Sequence, residues 1–409
     1  MTPCRSCGAP LRRVFCDLGV SPLANAYLTR EQLASSETFH PLKALTCERC
    51  LLVQLEAAPP PSELFSDYAY FSSWSASWLE HSRRHAEATV ARFGLGSAHQ
   101  VVEVASNDGY LLQFFRELGL RVLGIEPAAN VAQIAQARGI ETRVRFFGRE
   151  TAGELVREGR RADLLVANNV LAHVPDLADF VAGLEMLLAP GGLLTIEFPH
   201  LLRLIDQCQF DTIYHEHVSY FSFLTSRAIL ARHGLEVFDV EELTTHGGSL
   251  RLFVQRAATG GHPITPRVAA LQQKESQAGL DRIEAYDGFE GRVQALKRDL
   301  LEFLIAARRQ GRRVAGYGAP AKGNTLLNYC GIREDLLDFT VDVSTAKQGR
   351  FLPGTRLAVH DPEVLRERRP DHVLILPWNL EREIVEQAAF IREWGGTFVV
   401  AVPALRIVP

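Results

Sequence analysis

Residues 100–115, "QVVEVASNDGYLLQFF", combine a buried strand, a tight turn and the start of a helix. The apolar run predicts a strand that ends near Glu103, and "YLLQFF" predicts the helix. Between them lie Ala105, Ser106, Asn107, Asp108 and Gly109. Small and polar residues in such a turn let a ligand approach the backbone.

An acidic residue follows this turn at an informative distance. The next predicted strand, "RVLGIEP", ends in Glu126, and a carboxylate about 20 residues beyond such a turn commonly binds ribose hydroxyls. The turn does not match the GxGxxG pattern, which disfavours a nicotinamide or flavin dinucleotide. The pairing therefore predicts a site for a nucleoside without phosphates.

Apolar runs and amphipathic stretches alternate after residue 100, which predicts a parallel sheet flanked by helices. Two more strands, in "ADLLVANNVLAHVPD" and "GGLLTIEFPH", carry polar residues at their carboxyl ends, the edge at which open α/β sheets bind ligands. These residues are Asn168, Asn169, His173 and His200. The segments "LEVFDVEEL" and "GSLRLFVQR" are expected to complete the sheet with an antiparallel edge.

Composition excludes several classes of partner. The 409 residues carry a formal net charge of -4, and no stripe of Lys and Arg interleaved with aromatics indicates nucleic-acid binding. The N-terminus lacks the pattern of a signal peptide, and no apolar run reaches the roughly 18 residues that a membrane span needs. We expect a cytoplasmic protein that binds neither nucleic acid nor membrane.

Four of the seven cysteines form two CxxC pairs, Cys4 with Cys7 and Cys47 with Cys50. Two such pairs can bring four thiolates to one tetrahedral zinc. The sequence nearby offers no further candidate ligand, which argues against a catalytic metal. We predict a structural zinc site, with free buried cysteines as the alternative. Cys16, Cys208 and Cys330 have no such spacing and are expected to be small core residues.

A second α/β unit begins at "RRVAGYGAPAKGNTLLN", where an apolar strand leads into Gly316 and Gly318 and then into a helix. Glycines at a helix N-terminus bind anions, and Lys322 adds a positive charge that suits a diphosphate. The GxxxxGK[ST] spacing of a P-loop is absent. The alternative is a degenerate dinucleotide fold kept as a scaffold.

Residues 210–222, "FDTIYHEHVSYFS", concentrate tyrosine and histidine side chains between apolar neighbours. Such a cluster can either form a buried hydrogen-bond network or remove a proton from a substrate. The residues alone leave both interpretations open.

These motifs together resemble the class I S-adenosylmethionine-dependent methyltransferases, and within them the three-domain sugar C-methyltransferases that act on nucleotide-linked 4-keto-6-deoxy sugars. The resemblance rests on the cysteine pairs, "EVASNDGYLL", "NNVLAHVPDL", "FDTIYHEHVSYFS", "HGGSLR" and "GYGAPAKGNTLLN", in that order. It implies a zinc-binding domain over residues 1–75, a methyltransferase domain over 76–260, and a helical connector with a Rossmann-like nucleotide-sugar domain over 261–409. We expect a monomer.

The resemblance also implies roles for individual residues. The expected S-adenosylmethionine ligands are Glu103, Ala105, Ser106, Asn107, Gly109, Glu126, Pro127 and Asn168. The expected catalytic residues are His217, Tyr214, Glu216, His173 and Tyr68. The expected substrate ligands are His246, Gly248, Ser249, Arg251, Gly318, Lys322 and Asn324, with solvent exposure as the alternative for Arg251.

A carbon that bears hydrogen is methylated only if an adjacent carbonyl makes that hydrogen acidic and a base removes it. By resemblance His217 is the expected base, Tyr214 is either a competing base or the group that polarises the ketone, and Glu216 positions or charges the imidazole. The expected substrate is a thymidine-diphosphate 4-keto sugar in deoxysugar or antibiotic biosynthesis, methylated at C3 or C5. An O- or N-methyltransferase and a non-catalytic binding protein are the alternatives.

Overall fold

The computed structural model describes residues 2–60, 64 and 71–409, so Tyr68 lies outside the described residues. The strands are β1 Arg13–Ser21, β2 His40–Thr46, β3 Val53–Leu55, β4 Gln100–Val104, β5 Arg121–Ile125, β6 Thr142–Arg143, β7 Ala162–Asn168, β8 Leu188–Pro199, β9 Ser219–Tyr220, β10 Leu235–Leu243, β11 Ser249–Arg256, β12 Val314–Tyr317, β13 Thr340–Val341, β14 Val359–His360, β15 His372–Ile375, β16 Thr397–Val400 and β17 Arg406–Val408. The helices are α1 Ala76–Phe93, α2 Leu112–Glu117, α3 Ala129–Ala137, α4 Arg149–Arg157, α5 Leu177–Leu187, α6 Leu201–Asp206, α7 Phe223–Arg232, α8 Pro266–Gln277, α9 Phe289–Arg309, α10 Ala321–Cys330, α11 Val364–Arg368 and α12 Glu381–Gln387.

The central sheet has seven strands in the order β10-β11-β8-β7-β4-β5-β6. Strands β4 to β8 are parallel, and β11 runs antiparallel between β8 and β10. All of β4 is buried, as expected for a strand covered on both faces by helices. The predicted α/β fold, including its antiparallel edge, is confirmed.

The flanking helices begin and end where the sequence supplies suitable caps. The Ser75 hydroxyl accepts the Trp78 N–H at 3.2 Å to start α1, and Gly94 ends it in the left-handed region at φ 63°. The Asp176 carboxylate caps α5 through the Asp179 N–H at 3.0 Å. Such caps satisfy backbone groups that a helix leaves unpaired.

Helix α7 begins against a buried carboxylate from a later helix. Glu275 accepts the N–H groups of Phe223 and Leu224 at 2.6 and 2.9 Å. The same carboxylate contacts Nε2 of His200 at 2.6 Å. His200 therefore serves this buried network, not the ligand edge at which we predicted it.

The N-terminal sheet is antiparallel and has the order β1-β2-β3-β9. Its fourth strand, β9, comes from the tyrosine- and histidine-rich segment 210–222, with Val53 opposite Tyr220 and Gln54 opposite Ser219. The Leu55 N–H also binds the Val218 carbonyl at 3.0 Å. The end of that segment is thus held by a domain far away in sequence.

The C-terminal sheet has six strands in the order β14-β13-β12-β15-β16-β17, parallel except for β17. From β12 the chain builds outward through β13 and β14, and then returns to the other side of β12 as β15. Ligands in open α/β sheets bind in the crevice outside the carboxyl ends of strands at such a reversal. The loops after β12 and β15 flank this crevice.

The three units share a core. Helix α9 buries one face whose apolar residues recur at helical spacing, namely Phe289, Val293, Leu296, Leu300 and Leu304. The Phe289 ring stacks on Phe15 of β1 with centroids 4.5 Å apart. One apolar cluster extends from these rings to Phe210 and to Leu327 of α10. Among the described helices, none is long and apolar enough to cross a membrane.

Candidate active site

The turn after β4 and the acidic residue after β5 meet as predicted. Ala105 and Asn107 adopt left-handed backbone conformations at φ 57° and 48°, which turns the Asn107 N–H onto Glu126 Oε2 at 2.9 Å. The other carboxylate oxygen of Glu126 accepts the Ala128 N–H at 2.9 Å. Burial raises the pKa of Glu126. The carboxylate fixes the turn at the carboxyl edge of the sheet, with Pro127 half-buried beside it.

Gly109 has a packing role that the sequence did not reveal. Its φ is 79°, and a Cβ there would lie 2.4 Å from Cδ1 of Ile140. Glycine is therefore required by the neighbouring core in addition to the turn.

Several buried oxygens near this turn have no hydrogen-bond partner among the described residues. They are Glu103 Oε2, Ser106 Oγ, Asn168 Oδ1 and Asn169 Oδ1. Buried polar atoms are normally paired, so their presence at a ligand edge indicates a missing donor. Burial also raises the pKa of Glu103 well above its usual range. Acceptors of this kind fit the ammonium group and positive charge of S-adenosylmethionine.

Asn169 is a residue that our sequence interpretation placed at the ligand edge without a role. Its backbone is left-handed at φ 51°, its N–H binds the Glu197 carbonyl at 2.7 Å, and both of its side-chain polar atoms are buried without a partner in the part of the chain that is described. The signal available in the sequence was the pair Asn168–Asn169 at the end of a buried strand.

We expect Glu126→Ala to weaken S-adenosylmethionine binding by about 10- to 100-fold, because hydrogen bonds to charged groups contribute about 1.5–3 kcal/mol. Calorimetric titration measures this, with the melting temperature recorded to check the fold. Glu141→Ala is the control, since that carboxylate is exposed and pairs with Arg160 at 2.6 Å. Equal affinity in the two variants would remove Glu126 from the cofactor site.

The hydrogen bonds of His217, in the segment 210–222, determine which of its ring nitrogens carries the proton. Nδ1 of His217 lies 3.0 Å from the Thr212 carbonyl oxygen, and Nε2 lies 3.0 Å from the Tyr214 hydroxyl. A carbonyl only accepts, so Nδ1 carries the proton and Nε2 accepts from Tyr214. Nε2 is therefore the basic atom of the pair.

Burial lowers the pKa of His217 well below 6.5, and the charges of His173, His246 and Lys322 act in the same direction. The ring lies edge-on to His173 with centroids 4.9 Å apart. Burial also lowers the pKa of His173 to about 4. Both imidazoles are consequently neutral near pH 7.

His215 and Glu216 both contact the N-terminal domain. The His215 Nε2 lies 3.2 Å from the Pro41 carbonyl, so this ring is engaged away from His217. Glu216 accepts a hydrogen bond from Asn25 Nδ2 at 2.6 Å. We predicted that Glu216 would position the imidazole, but the described hydrogen bonds of His217 go to Thr212 and Tyr214, and Glu216 binds the N-terminal domain.

The predicted substrate loop, Thr245–Gly247, lies beside this cluster. His246 is left-handed at φ 54°, and its ring centroid is 4.9 Å from that of Trp78. Burial lowers the pKa of His246 to about 4. Gly248 has φ 120°, and a Cβ there would meet Cγ of Arg203 at 2.7 Å. The loop shape is thus determined by its glycines.

Ser249 and Arg251 follow this loop in the chain and are hydrogen-bonded to neighbouring protein groups. Ser249 Oγ donates to the Thr245 carbonyl at 3.1 Å. Arg251 is buried, not solvent-facing, and donates to Glu197 Oε2 at 2.7 Å. These hydrogen bonds go to the protein itself, so we assign both residues a positioning role.

Glu197 is the carboxylate that both Arg251 and His81 contact. His81 Nε2 lies 3.1 Å from its carboxylate oxygens. Burial acts to raise the pKa of Glu197, but His81 and Arg251 outweigh it and lower the pKa to about 2. The sequence interpretation missed both His81 and Glu197.

The glycine turn after β12 in the C-terminal unit is packed against, and hydrogen-bonded to, other residues of the protein. A Cβ on Gly318, where φ is 86°, would lie 2.5 Å from Pro377. The Ala319 N–H at the end of this turn donates to the Asp342 carboxylate at 2.7 Å. Asn324 Nδ2 donates to the Ala24 carbonyl at 2.6 Å. Gly318 and Asn324 therefore support domain packing in this structure.

Lys322 points from this turn towards the segment 210–222. Its ammonium binds Asn379 Oδ1 at 2.8 Å and lies 4.6 Å from the centre of the Trp378 ring. Trp378 Nε1 donates to Asp211 Oδ2 at 2.7 Å. The sequence interpretation missed Asp211, Trp378 and Asn379, although "PWN" directly after a buried strand carried the same kind of signal as Asn168.

The four predicted metal ligands converge, with all Sγ atoms of Cys4, Cys7, Cys47 and Cys50 within 4.8 Å of one another. The Cys4–Cys50 and Cys7–Cys47 sulfur distances are 3.5 and 3.6 Å. Tetrahedral zinc with Zn–S bonds of about 2.3 Å has S–S edges of about 3.8 Å. The donor set fits structural zinc.

Gln54 of β3 connects this cluster to the N-terminal sheet. Its Nε2 donates to the Cys4 sulfur at 3.1 Å, and its Oε1 accepts the Arg5 N–H at 2.8 Å. Such outer contacts orient metal ligands. The other three cysteines, Cys16, Cys208 and Cys330, are buried core residues.

Together, the sheet order, the Glu126-bridged turn and the unpaired acceptors beside it define a class I S-adenosylmethionine-dependent methyltransferase. Family models match a putative zinc binding domain at residues 4–65, a methyltransferase domain at 78–240 and a C-methyltransferase C-terminal domain at 244–403. The chain is 38% identical over 408 residues to C-methyltransferase NovU from Streptomyces niveus, covering 99% of this chain and 96% of that protein. The chain belongs to this family of zinc-binding, S-adenosylmethionine-dependent C-methyltransferases.

More distant similarity covers smaller parts. A ubiquinone biosynthesis O-methyltransferase from Methylobacterium sp. (strain 4-46) is 36% identical over 94 residues, 23% of this chain and 38% of that protein. The structure of magnesium protoporphyrin IX methyltransferase from Synechocystis PCC 6803 with bound S-adenosylmethionine is 16% identical, covers 44% of this chain and 79% of that chain, and has a TM-score of 0.34.

Proposed function

We propose that the enzyme methylates the carbon beside the 4-keto group, C3 or C5, of a thymidine-diphosphate-linked deoxysugar. The observation that carries the proposal is the His217–Tyr214 pair, a neutral base whose accepting nitrogen is fixed by Tyr214 and whose ring lies against His173, just after the carboxyl end of β7. Methylation of carbon needs such a base, whereas a heteroatom substrate would not need an activating ketone.

The proton has a defined route in this geometry. His217 Nε2 accepts it either directly from the carbon or through the Tyr214 hydroxyl, which bonds to that nitrogen. The Thr212 carbonyl stabilises the imidazolium by accepting a hydrogen bond from Nδ1–H. His217 holds the substrate proton at the end of either route.

S-adenosylmethionine supplies an electrophilic methyl group to the carbanion. Glu126 would hold the ribose, and Glu103, Asn168 and Asn169 would hold the methionine end through their unpaired oxygens. Alignment of the reacting atoms at about 3–3.5 Å then suffices, because methyl transfer needs no acid or base.

The substrate class is tested by incubating the protein with methyl-labelled S-adenosylmethionine and a panel of thymidine-diphosphate sugars with and without the 4-keto group. We expect label only on the keto sugars, at the adjacent carbon. Transfer to oxygen or nitrogen of a keto-free substrate would support an O- or N-methyltransferase instead. A protein that binds these sugars and transfers no label to any would be a binding protein.

The pH profile follows from the lowered pKa of His217. Only the neutral ring accepts a proton, and the neutral ring persists below pH 6.5 because burial and, in addition, the positive charge of Lys322 disfavour protonation. We expect kcat/KM to be flat from pH 8 to 6.5 and to fall only at lower pH, since this ratio titrates the free enzyme. An acid limb centred above pH 6.5 would contradict this assignment.

A further inference from the structure

The crevice between the carboxyl ends of β12 and β15 opens onto the catalytic segment. Trp378, directly after β15, hydrogen-bonds Asp211 at 2.7 Å. A Cβ on Gly247 of the substrate loop would lie 2.4 Å from Cη2 of Trp378, so indole and loop are in direct contact. The C-terminal domain therefore brings its ligand-binding edge to the same place as His217.

Lys322 is the cation of this crevice. It is half-buried, and among the described residues its ammonium has one hydrogen bond, to Asn379 at 2.8 Å, and lies over the Trp378 ring. An ammonium has three N–H donors, of which Asn379 takes one. The side chain can serve a further acceptor that enters between the two domains.

The surroundings of Lys322 suit a single oxygen better than a diphosphate. The buried carboxylate of Asp211 binds the indole N–H of Trp378 and acts electrostatically on Lys322, so it would repel a multiply charged anion there. The Ala319 N–H of the adjoining turn already binds Asp342 at 2.7 Å. A phosphate group would therefore have no free N–H to bind at that position of the turn. The negative charge of Asp211 would also offset the positive charge of Lys322.

We propose that Lys322 is a catalytic residue that donates a hydrogen bond to the 4-keto oxygen and stabilises the enolate. This role rests on the proposed function. As His217 takes the proton, the C–H electron pair forms the C=C bond and the carbonyl π pair moves to oxygen beside the ammonium. When the C=C pair forms the new bond to methyl, the S–CH₃ bond breaks towards sulfur and the carbonyl is restored.

The same charge also acts on the base. Burial is the main cause of the lowered pKa of both His217 and His246, and Lys322 adds to it, for His217 after His173 and His246. Asp211 in turn offsets part of the burial effect that lowers the pKa of Lys322. The same ammonium thus helps to keep the base neutral and, in the proposed complex, faces the oxygen on which negative charge develops.

The test replaces Lys322 with Met and measures three quantities. They are deuterium exchange beside the ketone of dTDP-4-keto-6-deoxyglucose in deuterated water with S-adenosylhomocysteine, methyl transfer, and the dissociation constant of dTDP. We expect exchange and methyl transfer to fall together by about 10² to 10³-fold, as for the loss of one oxyanion donor. The dTDP dissociation constant should stay within about twofold, because dTDP carries no ketone.

Lys297→Met is the matched control. Lys297 also combines one oxygen acceptor with one aromatic ring, the Tyr329 carbonyl at 2.6 Å and the Tyr329 ring at 4.5 Å. It should leave exchange, methyl transfer and dTDP affinity unchanged. Lys322→Gln is a second neutral variant that retains a polar contact with Asn379, in case the methionine variant does not fold.

A large loss of dTDP affinity in Lys322→Met, with wild-type exchange at saturating substrate, would assign the lysine to the diphosphate and overturn the proposal. Wild-type behaviour of Lys322→Met in all three assays would also overturn it. If the wild-type protein neither exchanges nor methylates any 4-keto sugar nucleotide, the proposed function itself fails.

Discussion

His217→Asn lowers methyl transfer by about 10² to 10⁴-fold, the contribution of a general base, and abolishes deuterium exchange beside the ketone. Asparagine is of similar size and can bond to Thr212, but it cannot accept the proton. Sugar-nucleotide binding should barely change. The measurements are single-turnover methyl transfer, isotope exchange followed by mass spectrometry, and calorimetric titration of the substrate.

His215→Asn is the control for this substitution. His215 lies two positions away and is also a histidine of the segment, but its Nε2 faces the Pro41 carbonyl at 3.2 Å. It should retain exchange, with any loss of folding recorded separately by the melting temperature. The comparison of the two variants shows whether the loss of exchange is specific to the His217 side chain.

Tyr214→Phe separates the two proton routes. If the proton moves directly to Nε2, removing the hydroxyl leaves exchange in place, because His217 is still bound by Thr212. If the hydroxyl relays the proton, exchange is lost in this variant too. Wild-type exchange in His217→Asn combined with none in Tyr214→Phe would make the tyrosine the base and contradict our assignment.

Cys47→Ser removes zinc and destabilises the N-terminal domain. Structural zinc in small domains contributes about 10–16 kcal/mol of apparent binding free energy. At about 2–4 °C per kcal/mol, losing even part of it lowers the melting temperature by roughly 10 °C or more. Elemental analysis should give one zinc per wild-type chain and none per variant.

Methyl transfer in Cys47→Ser should decline in parallel with the folded fraction, because the cysteines lie outside the catalytic cluster. Cys330→Ser is the control, since Cys330 is buried in the core apart from the four sulfurs, and it should retain full zinc content. Loss of activity with an unchanged melting temperature would make the metal something other than structural.

Local patterns allowed much of this architecture to be predicted. The CxxC spacing, the turn followed by Glu126, the apolar face of α9 and the antiparallel β11 each arise from residues close together in the chain. Strand and helix periods report burial directly, because side-chain direction repeats every two or every 3.6 residues or so. No tertiary contact had to be known.

The supporting contacts of the site were not predictable in this way. Arg251 meets His81 across 170 residues, and Trp378 meets Asp211 across 167. Their types fit ordinary core or surface positions as well, so nothing in the local sequence distinguishes them. The contacts of Glu216 and Lys322 are hidden for the same reason, since Glu216 bonds to Asn25 and Lys322 to Asn379, both far away in the chain.

The pairing of β3 with β9 has a consequence for how the chain is made. Arg5 reaches the Leu55 carbonyl at 2.6 Å and the Val218 carbonyl, 213 residues later, at 3.5 Å. At about 5–20 residues per second, a ribosome needs roughly 10–40 s to supply that partner. The outer edge of β3 is open meanwhile, and open edges recruit strands from other chains. A nascent enzyme is thus most vulnerable to aggregation while its first domain already exists and its catalytic strand does not.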